Sequence, residues 1–179
     1  MSRLDLLLDR FTGHLDLPWQ ASAPRVWIVV YDKADERRLR ARLDAFATAA
    51  RTRGLAWDAL DLTSTVSAWL GGHEYAEAYF ESPDLIDAEV GDLQSIAEDR
   101  VLEAVASGAA HGSKSMVALY GAGGLYGFAS VPDLIRAVEQ QVSGRLVVFF
   151  PGSVERGRYR LLDGHAGWDY RALAITADP

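Results

Sequence analysis

Two runs of consecutive apolar residues constrain the fold of this chain most: "VWIVVY" at 26–31 and "LVVFF" at 146–150. Neither alternates, so a strand built from either is apolar on both faces. Such a strand needs a covering layer on each side of its sheet, which is the condition of a parallel sheet clothed in helices. Both runs are far too short to span a bilayer. "MVALYG" at 116–121 has the same character, and "LAWDALDL" at 55–62 is a further strand candidate. "YRLLD" at 159–163 and "RALAIT" at 171–176 are the last two extended segments.

Helical patterns lie between these strands. Leu4, Leu7, Leu8, Phe11 and Leu15 repeat at helical spacing and predict a helix over 3–16. Pro18 and Pro24 bracket a linker, so residues 1–24 read as an N-terminal helix and its connection. In "KADERRLRARLDAFATAARTRG" the residues Leu39, Leu43, Phe46, Ala47 and Ala50 form one stripe, and Gly54 stops the helix. "TSTVSAWLGG" predicts a short helix ended by Gly71 and Gly72. Residues 73–107 read as a helical insert in which Pro83 opens a helix. Ile86, Val90, Leu93, Ala97 and Val101 are its expected buried stripe. Gly91 weakens that helix by about 1 kcal/mol relative to Ala. A last helix, near 130–142, is expected to bury Val131, Leu134, Ile135, Val138 and Val142.

Strands alternating with helices predict one α/β domain over residues 1–179, with a mostly parallel central sheet flanked by helices. The expected layout is Rossmann-like or P-loop-like, without a Walker A motif. In such sheets, sites lie beyond the carboxyl ends of the strands. Asp32, Asp61, the glycines at 121–127 and Pro151-Gly152 all follow strand ends and are expected along one rim.

"YGAGGLYGF" at 120–128 sits between a strand and a helix, the place of a phosphate cradle. A Walker A loop needs Lys and a hydroxyl after its last glycine; Phe128 and Ala129 stand there instead. The dinucleotide fingerprint needs a third glycine where this chain has Tyr126. Glycines also permit a sharp strand-to-helix turn, the reading these residues favour. Asp32 and Asp61 suit either magnesium or the capping of a following helix, and capping is favoured. His14, His73, His111 and His165 form no pair at metal-ligand spacing, and no G-x-S-x-G elbow is present. The expectation is therefore a chain without a catalytic constellation, a metal or a cofactor.

There is no cysteine, which excludes disulfides and thiolate chemistry. The formal net charge of -7 counts against broad contact with nucleic-acid phosphates. Arg37, Arg38, Arg40 and Arg42, and likewise Arg156, Arg158 and Arg160, read as solvated faces. "MSRLDLLLDRF" carries Asp5 and Asp9 within its apolar pattern and does not read as a signal peptide, so a cytoplasmic location without membrane contact is expected. Trp69, Tyr75, Tyr79 and Phe80 cluster in sequence, and exposed aromatics commonly anchor protein interfaces.

The C-terminal third resembles a known family. Gly121, Gly123, Tyr126 and Phe128 match a G-x-G-x-x-Y-P-F turn. Phe149, Phe150, Pro151 and Gly152 match a strand ending F-Y-P-G, and Tyr170, Arg171 and Ala172 match a terminal Y-Y-R-A-F. In this order and spacing the motifs resemble the BrxB family of bacteriophage exclusion (BREX) defence systems. "VYDKADERRLRARL", with Asp32 at the junction, is similar to that family's first strand and helix. Gly127 stands in place of the family's Pro, Ser130 in place of an Arg, and Leu173 in place of the final Phe. The resemblance implies an accessory role in phage defence, without established catalysis. It also implies binding to other BREX components, notably the alkaline-phosphatase-like PglZ protein. The competing expectation is a degenerate nucleotide-binding domain, or a small phosphotransfer or hydrolytic enzyme, using the glycine loop and Asp32.

Overall fold

The computed structural model describes residues 2–18, 20, 22–164 and 167–178. The chain forms a mixed α/β structure around one long sheet path. Its strands are β1 (Val26–Tyr31), β2 (Ala56–Asp61), β3 (Ser115–Tyr120), β4 (Arg145–Glu155), β5 (Arg158–Leu161), β6 (Trp168–Asp169) and β7 (Leu173–Ile175). The order across the sheet is β2-β3-β4-β1-β7. Every pairing along this path is parallel: β2 with β3, β3 with β4, β4 with β1, and β1 with β7. Beyond Pro151, β4 continues as a hairpin, with β5 and β6 added antiparallel. β6, only two residues long, carries no sequence signal of its own.

The helices are α1 (Arg3–Leu15), α2 (Glu36–Arg40), α3 (Leu43–Thr52), α4 (Thr65–Gly72), α5 (Ala76–Glu81), α6 (Val90–Gly108) and α7 (Val131–Val138). The connection from β1 to β2 runs one way across the sheet, and those from β2 to β3 and from β3 to β4 run back. With right-handed crossovers this reversal places their helices on opposite faces. One face accordingly joins Trp27, Val29, Met116, Ala118, Val147 and Phe149 to Phe11 of α1 and Phe46 of α3. The other joins Ile28, Val117, Leu119, Val148 and Phe150 to Leu93, Ala97 and Val101 of α6 and Ile135 of α7. Residues 26–31 and 145–151 are buried without a break, as an apolar run between two helical layers requires.

α1 starts at a capping box in which the Ser2 hydroxyl accepts from the Asp5 amide and the Asp5 carboxylate accepts from the Ser2 amide. Its Leu4, Leu7, Phe11 and Leu15 are buried. All five residues expected beneath the last helix are buried as well.

Two expectations need correction. The helix expected over 33–54 is broken into a 3-10 turn (Lys33–Asp35), α2 and α3. The break falls at Ala41 and Arg42, where the Arg42 amide bonds three residues back to the Leu39 carbonyl and its side chain pairs with Asp5 of α1. Val90 is 37% exposed rather than buried, and Ile86 is only half-buried. Pro83–Glu89 forms 3-10 turns, whose period of three takes Ile86 out of phase with the stripe, and Val90 is the exposed first residue of α6. The buried stripe of α6 begins at Leu93 and continues through Ala97, Val101 and Val105. No helix among the described residues is long and apolar enough to cross a membrane.

Candidate functional site

Parallel register brings the carboxyl ends of four strands close to one level: Tyr31 lies opposite Pro151, and Asp61 opposite Tyr120. A cavity of about 330 Å³ opens there, lined by Lys33, Glu36, Arg40, Thr63, Gly121, Gly123, Gly124, Pro151 and Leu162. Of the residues expected along one rim, Gly121, Gly123, Gly124 and Pro151 line this cavity and Asp61 bonds to its Arg40. Asp32 and Gly152 belong to a separate cavity of about 370 Å³, with Arg3, Tyr31, Asp35 and Asp178.

Arg40 organises the first cavity. Its Nε donates to Glu36 Oε1 at 2.8 Å and its Nη1 to Asp61 Oδ2 at 3.1 Å, while Nη2 donates to the Thr63 hydroxyl. The guanidinium carbon lies 5.2 Å from the centre of the Tyr120 ring, a cation–π distance. Glu36 also accepts from the Tyr31 hydroxyl. Burial and this Glu36 contact together push the Tyr31 hydroxyl well above the usual phenol range. Asp61 accepts from the Thr63 amide at 2.9 Å and from its hydroxyl. Burial pushes the Asp61 carboxyl up, but its hydrogen bonds from Thr63 and Arg40 outweigh burial and hold it below the usual carboxylate range. Lys33 pairs with Asp163. Each of these two cations is therefore matched by acidic partners within the rim. A phosphate entering would meet Glu36 and Asp61 already on Arg40, at close like-charge range.

The glycine loop is closed upon itself. Amides of Gly124, Tyr126, Phe128 and Ala129 donate to the carbonyls of Gly121, Gly123, Leu125 and Leu125 respectively. A phosphate cradle needs such amides free and convergent. The glycines have another physical reason. Gly121 is left-handed (φ +75), and a Cβ there would lie 2.2 Å from Thr63 Oγ1 and 2.8 Å from the Thr63 amide. A Cβ on Gly124 would lie 2.5 Å from the Thr63 carbonyl oxygen. The loop after β3 thus packs backbone to backbone on the turn after β2. Gly152 plays a similar part in the hairpin, where a Cβ would meet the Arg160 carbonyl oxygen at 2.0 Å.

The other sequence candidates spread over the molecule. Asp32 accepts from the Ala34 amide at 2.9 Å and caps the 3-10 turn after β1. Tyr126 points outward, 48% exposed, beside a further cavity lined by Ser130, Pro132, Gly164 and Trp168. Phe128, two residues on, packs partly buried against the sheet-face core. Tyr170 donates to Glu139 at the far end of α7, and burial first, then Glu139, raises its hydroxyl well above the usual range. Arg171 is exposed. Ser130 is the N-cap of α7, accepting from the Asp133 amide at 3.3 Å. The backbone at Gly127 has φ +83, which the ring of proline forbids. His165 lies outside the described residues.

Glu36 and Thr63 were not singled out by sequence reasoning. The available signal was the i, i+4 spacing of Glu36 and Arg40 on one helix. No group of three or more potential metal ligands occurs among the described residues. No family model matches the chain, no curated protein matches it, and no solved structure matches it.

Proposed function

We propose that this chain is a non-catalytic adaptor that works by binding other proteins, as an accessory component of a BREX-type phage-defence complex in the cytoplasm. The observation that carries this reading is the self-paired rim. In a sheet of this kind the strand ends are where a ligand would sit. Here Arg40 is engaged by Glu36, Asp61 and Thr63, Lys33 by Asp163, and loop amides by loop carbonyls. The Rossmann-like or P-loop-like layout then serves as a scaffold, and the glycines serve to seat one turn on another. The motifs at 121–128, 149–152 and 170–172 supply the assignment to BREX and to a PglZ-like partner.

Co-expression with the proteins encoded beside this chain tests the proposal. A tagged chain should retain one of them in stoichiometric amount through a moderate-salt wash. Recovery of the tagged chain alone would overturn the reading.

The competing reading, a nucleotide or phosphotransfer site, draws on the position of the 330 Å³ cavity at the strand ends. It requires nucleotide with magnesium to raise the melting temperature, because a ligand bound only by the folded state stabilises it.

A further inference from the structure

Exposed large apolar side chains are concentrated in one short segment. Of six among the described residues, four fall within residues 75–90: Tyr75 (58% exposed), Phe80 (68%), Leu85 (51%) and Val90 (37%). The segment is anchored from beneath. Tyr79 is buried, its ring is stacked 6.0 Å from Trp69, and its hydroxyl donates to Glu89 at 3.0 Å. That bond ties α5 to the 3-10 turns that follow, so Phe80 is displayed from a fixed base.

The charges carried by this segment and its flanks have one sign. Residues 54–99 contain eleven Asp and Glu and not one Lys or Arg. Glu74, Glu77, Glu81, Asp84, Asp87 and Asp92 are exposed. None of these six forms a salt bridge among the described residues, although nine salt bridges form elsewhere. Apolar anchors interspersed along the chain with exposed carboxylates complement a segment that carries large apolar side chains flanked by Lys and Arg. They repel an anionic membrane or a nucleic acid.

We propose that the ledge from Tyr75 to Val90 docks a cationic amphipathic segment of a partner protein. This rests on the protein-binding reading above and adds to it the surface and the chemistry of the partner. The apolar side chains seat the segment, and the carboxylates set its orientation and accelerate its encounter.

The test is a fluorescence-anisotropy titration of the full chain with a labelled amphipathic helix built of Leu and Lys. Three variants and a Leu/Glu helix serve as comparisons. The Leu/Lys helix should bind, and binding should weaken by about tenfold or more in both F80S/L85S and E77K/E81K/D84K. The variant D9K/D44K/E103K, with the same change in net charge on exposed positions away from the ledge, should bind within about twofold of the parent. The Leu/Glu helix should not bind. An equal loss in D9K/D44K/E103K would mean attraction to net charge alone and would overturn the proposal, as would undiminished binding by F80S/L85S. Concentration-dependent dimerisation of the parent chain, abolished by F80S/L85S, would assign the ledge to a second copy and overturn it too. The two proposals fail separately. A co-purifying neighbour with no helix binding rejects the ledge alone; ledge-dependent helix binding with no co-purifying neighbour rejects the defence complex alone.

Discussion

Replacing Gly124 by Ala tests whether the glycine loop exists to pack on the turn after β2. The new Cβ would lie 2.5 Å from the Thr63 carbonyl oxygen, 2.9 Å from its Cα and 3.0 Å from its carbonyl carbon. Ordinary contact begins at 3.4 Å, so the loop or Thr63 must move by 3.4 − 2.5, about 0.9 Å. All three atoms are backbone, and Thr63 is held by Asp61 and Arg40, so no flexible side chain yields. Overpacking of this kind costs about 1–3 kcal/mol. Against it stands about 0.4–1 kcal/mol from the smaller entropy of the unfolded chain. The net expectation is a loss of about 1–2 kcal/mol, or about 2–8 °C in Tm for a chain of this size. Gly123 is the internal control: its nearest neighbour would be Leu162 Cδ2 at 3.6 Å, an ordinary contact, and its φ is not positive. Gly123→Ala should be neutral or stabilising by about 0.4–1 kcal/mol. Urea unfolding of both variants, with unchanged m-values, reads the difference directly. Equal stability of the two variants would refute the packing explanation and return the glycines to a ligand role.

Four further outcomes are expected. Arg40→Ala should cost about 1–2 kcal/mol at neutral pH, since it strips Glu36, Asp61 and Thr63 of a shared donor, and Arg40→Lys should recover only part of it; urea midpoints decide, and an unchanged midpoint would show the network to be decorative. Asp61, whose carboxyl is held below its unfolded value, contributes stability that is present above about pH 4 and lost as pH falls further; Asp61→Asn should flatten the stability–pH slope in that range, and an unaltered slope would contradict this. Phe128→Ala should lose about 1.5–3 kcal/mol while Tyr126→Ala stays within about 0.5 kcal/mol, because only the first ring packs on the core; thermal melts that reversed the order would invalidate the placement of the turn. Millimolar nucleotide with magnesium should leave Tm unchanged, and a dose-dependent rise would favour the nucleotide site.

How much of this was legible in the sequence depended on which physical signal each part carries. The doubly covered strands were legible because burial on both faces leaves a continuous apolar run, as at 26–31 and 146–150. The stripe of α7 was legible because one amphipathic helix faces one sheet. Ile86 was misread because a 3-10 segment shares the composition of an α-helix but not its period, and Val90 because it opens α6 one turn ahead of the residues that α6 buries. The break before α3, where the Arg42 amide bonds to the Leu39 carbonyl and the Arg42 side chain pairs with Asp5, 37 residues away, leaves no mark in the local apolar pattern. The same holds for the site. That glycines follow β3 is plain in the sequence, but that they rest on Thr63 is a tertiary fact. Arg40 read as one of four solvated arginines, and only the parallel register of β2 and β3 brings Asp61 and Tyr120 to it. The ledge divides in the same way: its aromatics and carboxylates are visible in sequence, whereas the burial of Tyr79 and the exposure of Phe80 are not.

The most direct test of the central claim is a titration of the purified chain with a purified PglZ-like protein, the partner proposed above, followed by calorimetry and by light scattering of the mixture. An adaptor gives saturable binding of defined stoichiometry at about micromolar affinity or tighter, as a specific protein interface supports. Two unshifted species at concentrations of tens of micromolar, together with a nucleotide-dependent rise in the chain's own Tm, would contradict it.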